Sequence, residues 1–150
     1  MIDKEKIIPI GSDHAGVELK EYLFWEVNKL GYTMIDHGTL GGESVDYPDF
    51  IHPVARSINS GEYEKGIVIC GSGQGANMTA NKYPNVRSAL CWDVQQAELS
   101  RKHNNANIIA LPGRFIKKED ALEAVKVFLN TGFEGGRHQR RVEKISEVGV

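Results

Sequence analysis

The stretch Gly66-Ile67-Val68-Ile69-Cys70-Gly71-Ser72-Gly73-Gln74-Gly75-Ala76-Asn77 decides the fold. It begins with an apolar, β-branched run of the kind buried in the middle of a sheet. Glycines then stand at every second position, and from Ala76 to Lys82 the residues suit a helix. A strand that passes through a glycine-rich turn into a helix is a receptor for negative charge. Backbone N–H groups can approach an anion there, and the helix N-terminus adds unpaired donors and the positive end of its dipole. Cys70 ends the strand beside those donors, a setting that favours a thiolate able to act as a base.

The same alternation extends to both sides. Ile7-Ile8-Pro9-Ile10 reads as a strand running into the polar turn Gly11-Ser12-Asp13-His14-Ala15-Gly16, although Pro9 removes a donor that a central strand would use. Leu19, Leu23, Val27 and Leu30 recur at helical spacing, and Gly31 stops that helix. Residues 32–35 make a second strand, ending in Asp36-His37-Gly38. After a polar loop Pro48 opens a helix with Ile51, Ala55 and Ile58 on its apolar stripe. Beyond the glycine turn, residues 88–91 are a fourth strand. Asp93 and Gln96 resemble a capping box for a helix running to about Lys102. Residues 108–111 are a fifth strand, Pro112-Gly113-Arg114 a loop, and Ala121, Val125 and Phe128 mark another helix. This alternation, with crossovers long enough for parallel pairing, predicts one α/β domain over residues 1–150. The expected form is a three-layer αβα sandwich on a five-stranded parallel sheet, Rossmann-like with strand order 2-1-3-4-5, plus a C-terminal helical extension. Ligands of such sheets bind outside the carboxyl ends of the strands, where loops begin at Gly11, Asp36, Cys70, Cys91 and Pro112.

Composition narrows the function. With 41% hydrophobic and 25% charged residues, the 150-residue chain has the balance of an ordinary globular domain. Its 18 Lys plus Arg against 20 Asp plus Glu argue against a general nucleic-acid binder, whose affinity comes from a basic face. No apolar run reaches the roughly 18 residues of a membrane span. Met1-Ile2-Asp3-Lys4-Glu5-Lys6 lacks the apolar core of a signal peptide, and two cysteines without CxxC spacing fit a reduced, cytoplasmic protein.

Several chemistry-bearing residues are expected at the carboxyl face. Asp13 and His14 follow strand one, Cys70 ends strand three, His103-Asn104-Asn105 ends the fourth helix, and Arg114 follows strand five. The segment Glu134-Gly135-Gly136-Arg137-His138-Gln139-Arg140-Arg141-Val142 adds a local basic cluster, and Arg137, His138 and Arg141 suit a phosphate. Together these offer a base, a general acid and an anion-binding loop to a small phosphorylated substrate. Each has a duller reading. Cys91 reads as a buried small hydrophobe, His37 and His52 as packing or surface residues, and His103 alone as a helix-end cation. The basic cluster by itself would be a solvated helix face, and no Cys/His pair has metal-ligand spacing. A nucleotide- or flavin-binding module is the alternative. Against it, the first turn is Gly-Ser-Asp-His rather than G-x-G-x-x-G, and only Asp36 ends strand two as a ribose-binding acid.

The motifs Gly11-Ser12-Asp13-His14-Ala15-Gly16, Asp46-Tyr47-Pro48, Cys70-Gly71-Ser72-Gly73-Gln74-Gly75, Ala80-Asn81-Lys82, Arg101-Lys102-His103-Asn104-Asn105-Ala106-Asn107 and Gly136-Arg137-His138-Gln139-Arg140-Arg141-Val142 occur in that order. Over essentially the full length, the chain closely resembles the type B ribose-5-phosphate isomerases, in the family that also holds the galactose-6-phosphate isomerase subunits. The resemblance implies aldose–ketose isomerisation of D-ribose 5-phosphate and D-ribulose 5-phosphate through a cis-enediolate, without metal or organic cofactor. A six-carbon substrate, allose 6-phosphate or galactose 6-phosphate, is the runner-up. By the same resemblance Cys70 is the base, Ser72 relays protons between O1 and O2, and N–H groups from Gly71 through Gly73 to Gly75 hold the oxyanion. One branch of the family carries a glutamate where this chain has Ala76, which places the chain with the cysteine branch. His103, with Asp13 nearby, would open the furanose ring, and Asn104 and Tyr47 would bind substrate hydroxyls. His14 and Arg114 would hold the phosphate from one subunit, and Arg137, His138 and Arg141 from its partner. Residues 134–150 would therefore reach the other subunit of a homodimer with shared active sites, and dimers could pair into tetramers.

Overall fold

β3 (Gly66–Cys70) is buried at every position and lies in the middle of a five-stranded, all-parallel sheet. The computed structural model describes residues 3–149. The other strands are β1 (Ile7–Ser12), β2 (Thr33–Asp36), β4 (Ser88–Leu90) and β5 (Ile108–Pro112). Helices α1 (Val17–Lys29), α2 (Tyr47–Asn59), α3 (Gln74–Ala80), α4 (Val94–Asn104) and α5 (Lys118–Asn130) form the crossovers and outer layers, and α6 (Arg137–Ile145) is the C-terminal extension.

The sheet order is β2-β1-β3-β5-β4, so the expected order 2-1-3-4-5 is corrected at its last two places. The reason lies in composition and length. β5 is an apolar run, Ile108-Ile109-Ala110-Leu111, buried throughout, and it fills the place beside β3, which is covered on both faces. β4 has three half-buried residues and begins with Ser88, which suits an edge.

Pro9 falls where its missing donor costs little. Ile10 and Ser12 turn their backbone groups toward β2 and its loop, accepting from His37 N–H and donating to Gly38 O. Successive residues of a strand face opposite neighbours, so Pro9 faces β3, and that pairing starts only at Ile10↔Ile67.

Each face of the sheet has its own core. α1, α4 and α5 cover one side with Leu19, Leu23, Val27, Ala97, Val125 and Phe128 against Ile8, Ile10, Ile69 and Ile109. α2 and α3 cover the other with Ile51, Val54, Ala55, Ala76 and Ala80, and Cys70 belongs to that cluster. The Asp93 carboxylate caps α4 by accepting from Gln96 N–H at 2.8 Å, as the sequence predicts. Among the described residues no helix is long and apolar enough to cross a membrane.

Candidate active site

β1, β3 and β5 deliver their carboxyl ends to one place. Asp13 donates its N–H to Ile69 O, Gly113 donates to Cys70 O at 2.9 Å, and Arg114 donates to Gly71 O at 2.9 Å. These bonds continue the sheet past the ends of its strands and hold three loops in register. Cys70 lies at the floor of the arrangement, 5% exposed and unpaired. The Arg114 side chain passes over Gly71, with Cδ and Nη1 each 3.4 Å from where a Cβ would stand. The turn needs two of its glycines for different reasons. Gly73 has φ 76°, a left-handed conformation, and a Cβ there would meet Leu90 Cδ1 at 2.5 Å. Gly75 faces the Tyr47 ring, whose Cζ lies 2.4 Å from the position a Cβ would take. Tyr47 at the start of α2 thus rests directly on the loop.

The loop keeps its donors available. Ser72 Oγ accepts from Gln74 N–H at 3.2 Å, while the N–H groups of Gly71, Ser72, Gly73 and Gly75 have no hydrogen-bond partner among the described residues. Beside them, the Asp13 carboxylate accepts from Ala15 N–H at 3.0 Å, and His14 Nδ1 accepts from Val45 N–H at 3.1 Å. That second bond places the remaining proton of a neutral His14 ring on Nε2. The sequence offered no sign of Val45, because its contribution is a backbone group. Cys91 is a different thiol: burial pushes its pKa up to about 11, so it stays protonated and inert.

Within one chain His103 and Asn104 are not at this face, which corrects the expectation that the end of the fourth helix shares it with Asp13 and Cys70. A helix between parallel strands starts at the carboxyl edge of the sheet and ends at the amino edge. α4 follows this rule. Asn107, three residues past its end, donates N–H to Arg87 O just before β4, and Arg87 Nε donates to Asn105 O. A strand of β3's length separates the two edges, roughly 15 Å. At the amino edge a second cluster forms. Buried Arg101 ties the end of α4 to the end of α5 through Nε to Thr131 O. Glu134 N–H donates to Lys102 O at 3.1 Å, bringing the 134–142 segment against α4. His138, at the start of α6, stacks on His103 with ring centroids 4.3 Å apart and planes inclined by 13°. Arg137 begins the same helix and Arg141 lies one turn on.

One chain therefore gathers its candidate residues at two separate places. The carboxyl edge holds Cys70, Ser72, the glycine loop, Asp13, His14, Tyr47 and Arg114. The amino edge holds His103, Asn104, Arg137, His138 and Arg141.

The sequence matches the family profile described as Ribose/Galactose Isomerase over residues 8–145. The chain belongs to this family. It is 39% identical over 143 residues to the ribose-5-phosphate isomerase B of Escherichia coli, covering 95% of this chain and 96% of the relative. The structure of a ribose 5-phosphate isomerase from Thermotoga maritima superposes with TM-score 0.92 at 50% identity, covering 95% of this chain and 98% of that one. The ribose-5-phosphate isomerase B of Mycoplasma genitalium, solved with bound ribulose-5-phosphate, gives TM-score 0.90 at 38% identity, covering 94% of each chain. Membership in the ribose/galactose isomerase family accounts for the order of motifs along the chain. The competing dinucleotide reading loses its acid, because Asp36 is committed elsewhere. One of its oxygens accepts from Lys20 Nζ at 2.6 Å and the other from Gly38 N–H at 2.8 Å.

Proposed function

We propose that the chain is an aldose–ketose isomerase that interconverts D-ribose 5-phosphate and D-ribulose 5-phosphate. The observation that carries this reading is a buried Cys70 beneath a glycine loop with unpaired N–H donors, overlaid by Arg114 and Tyr47. In the open-chain aldose, the Cys70 thiolate removes the C2 proton and the electron pair moves through C1 onto the carbonyl oxygen. The loop N–H groups hold the resulting enediolate, the place where preorganised donors lower a barrier most. Ser72 carries a proton between O2 and O1, and Cys70 returns its proton to C1. Substrate and product are isomers, so the step closes without an external electron carrier.

The remaining roles need a second copy. His103 opens the furanose ring and Asn104 binds a hydroxyl, both from the amino edge of a partner chain and opposite Tyr47 of the first. The phosphate lies between His14 and Arg114 of one chain and Arg137, His138 and Arg141 of the other. Placement of the two half-sites on opposite edges supports this division, because neither is complete alone. The two free cysteines suit a reducing compartment, in keeping with a cytoplasmic enzyme.

The test is a turnover assay with ribose 5-phosphate, allose 6-phosphate and galactose 6-phosphate, run on the wild type and on Cys70→Ala. Ribose 5-phosphate should give the highest kcat/KM, and a larger value on either six-carbon sugar would reassign the substrate. Cys70→Ala should lose about 10³ in kcat, the range of a missing general base, while still binding inorganic phosphate. Retention of most of the turnover would remove Cys70 from the mechanism.

A further inference from the structure

The contact between His103 and His138 has a third member. Glu134 Oε1 lies 3.9 Å from His103 Nε2 and 3.5 Å from His138 Nε2, so a single carboxylate oxygen faces both stacked rings. Its backbone is fixed as well, through the N–H bond to Lys102 O, one residue before His103. Glu134 and the His103 side chain are 49% and 41% exposed, so the cluster is open to a second chain and to substrate.

The three ligand atoms lie within 4.8 Å of one another, which raises the question of a metal ion. The ring geometry argues against one. A metal bonds an imidazole nitrogen in the ring plane, and two nearly parallel planes held apart by stacking share no point close to both nitrogens. At 3.5 and 3.9 Å a carboxylate acts on the two Nε2 edges by charge, which needs no shared point in both ring planes.

We propose that Glu134 is a positioning residue: its carboxylate faces both Nε2 edges of the His103–His138 stack and favours the Nε2–H tautomer by charge, leaving Nδ1 of His103 to exchange a proton with the substrate. This rests on the isomerase reading, in which His103 opens the sugar ring. The bond made by one ring nitrogen decides which tautomer the other presents, so a carboxylate at Nε2 makes Nδ1 the basic atom. The charges around the pair explain why a carboxylate is needed. Burial lowers the pKa of His138, and His103, Arg137 and Arg141 lower it further, while Glu134 alone opposes them. Lys102 also faces Glu134, but its ammonium is paired with Glu98 at 2.6 Å. Glu134 is thus the negative charge set against the cations around His138.

The experiment compares wild type, Glu134→Gln and Glu134→Asp by two readouts. The first is the imidazole tautomer and titration, read by long-range ¹H–¹⁵N NMR without substrate. The second is the pH profile of kcat and KM on ribose 5-phosphate. Wild type should show Nε2–H at both rings. Glu134→Gln should mix the tautomers, lower the His138 titration midpoint, and reduce kcat by about tenfold with KM nearly unchanged, a typical loss for a misoriented acid–base group. Glu134→Asp, which keeps the charge, should recover part of kcat. Unchanged tautomers and kcat in Glu134→Gln would overturn the proposal. A wild type that shows the Nε2–H tautomers but turns over no sugar phosphate would overturn the isomerase reading instead.

Discussion

At the scale of single residues, burial decides which titratable groups can act. Cys70 and Cys91 are both buried and both unpaired, yet only Cys70 stands at a loop with unpaired N–H donors. His37 shows the cost of burial. Its Nε2 is buried without a hydrogen-bond partner among the described residues, and its pKa is lowered chiefly by burial, with Asp36 and Glu62 opposing. An imidazole whose folded pKa lies below its usual value of about 6.5 binds fewer protons folded than unfolded. Its effect on stability is therefore absent above about pH 6.5 and unfavourable below it. Urea midpoints measured between about pH 7 and 5 should fall toward acid, and His37→Asn should flatten that slope. Equal slopes in the two proteins would show that His37 takes no part.

At the scale of elements, a charge pair between a buried lysine and a partly exposed aspartate joins α1 to β2. Lys20 is fully buried and its ammonium meets Asp36 Oδ2 at 2.6 Å, while the other Asp36 oxygen holds Gly38 N–H. Nothing in the helical spacing of Leu19, Leu23 and Val27 marks Lys20 as a core residue, since a lysine on a helix is ordinarily solvated. The pair is worth most as a matched set. Asp36→Ala leaves a buried ammonium without its partner and should destabilise the fold by about 3 kcal/mol. Lys20→Met combined with Asp36→Ala should recover much of that loss, because an apolar side chain then fills the site. Chemical denaturation of the single and double variants measures both effects. A single variant as stable as the wild type would show the pair to be incidental.

At the scale of the whole molecule, the direction of α4 matters most. Its C-terminus carries His103 and Asn104 to the amino edge, where the segment after α5 adds Glu134, Arg137, His138 and Arg141. The proposed base, Cys70, and the proposed ring-opening group, His103, therefore lie at opposite edges of the sheet, and the proposed site forms between copies. Mixing inactive Cys70→Ala with inactive Arg137→Ala should restore activity, because one of the two sites in a mixed dimer is then fully wild type. At random exchange, about a quarter of all sites should recover, since half of the dimers are mixed. Two variants that stay inactive after verified subunit exchange would contradict a shared site.

The sequence by itself determined the alternation of elements, the glycine turn with its cysteine, the cap at Asp93 and the family. These follow from local spacing and backbone preference, which neighbouring residues set. It also held the sign that β5, and not β4, fills the inner place, in the contrast between Ile108-Ile109-Ala110-Leu111 and the short Ser88-Ala89-Leu90. Only the tertiary structure decided that the 134–142 segment packs against the end of α4. Parallel crossovers send the ends of helices and strands to opposite edges, so the edge of His103 was legible in the alternation, whereas its stacking partner His138 was not. The same holds for Glu134, Val45 and Lys20. Each acts through a partner distant in sequence, or by a backbone group that carries no side-chain signature, and folding alone brings such partners together.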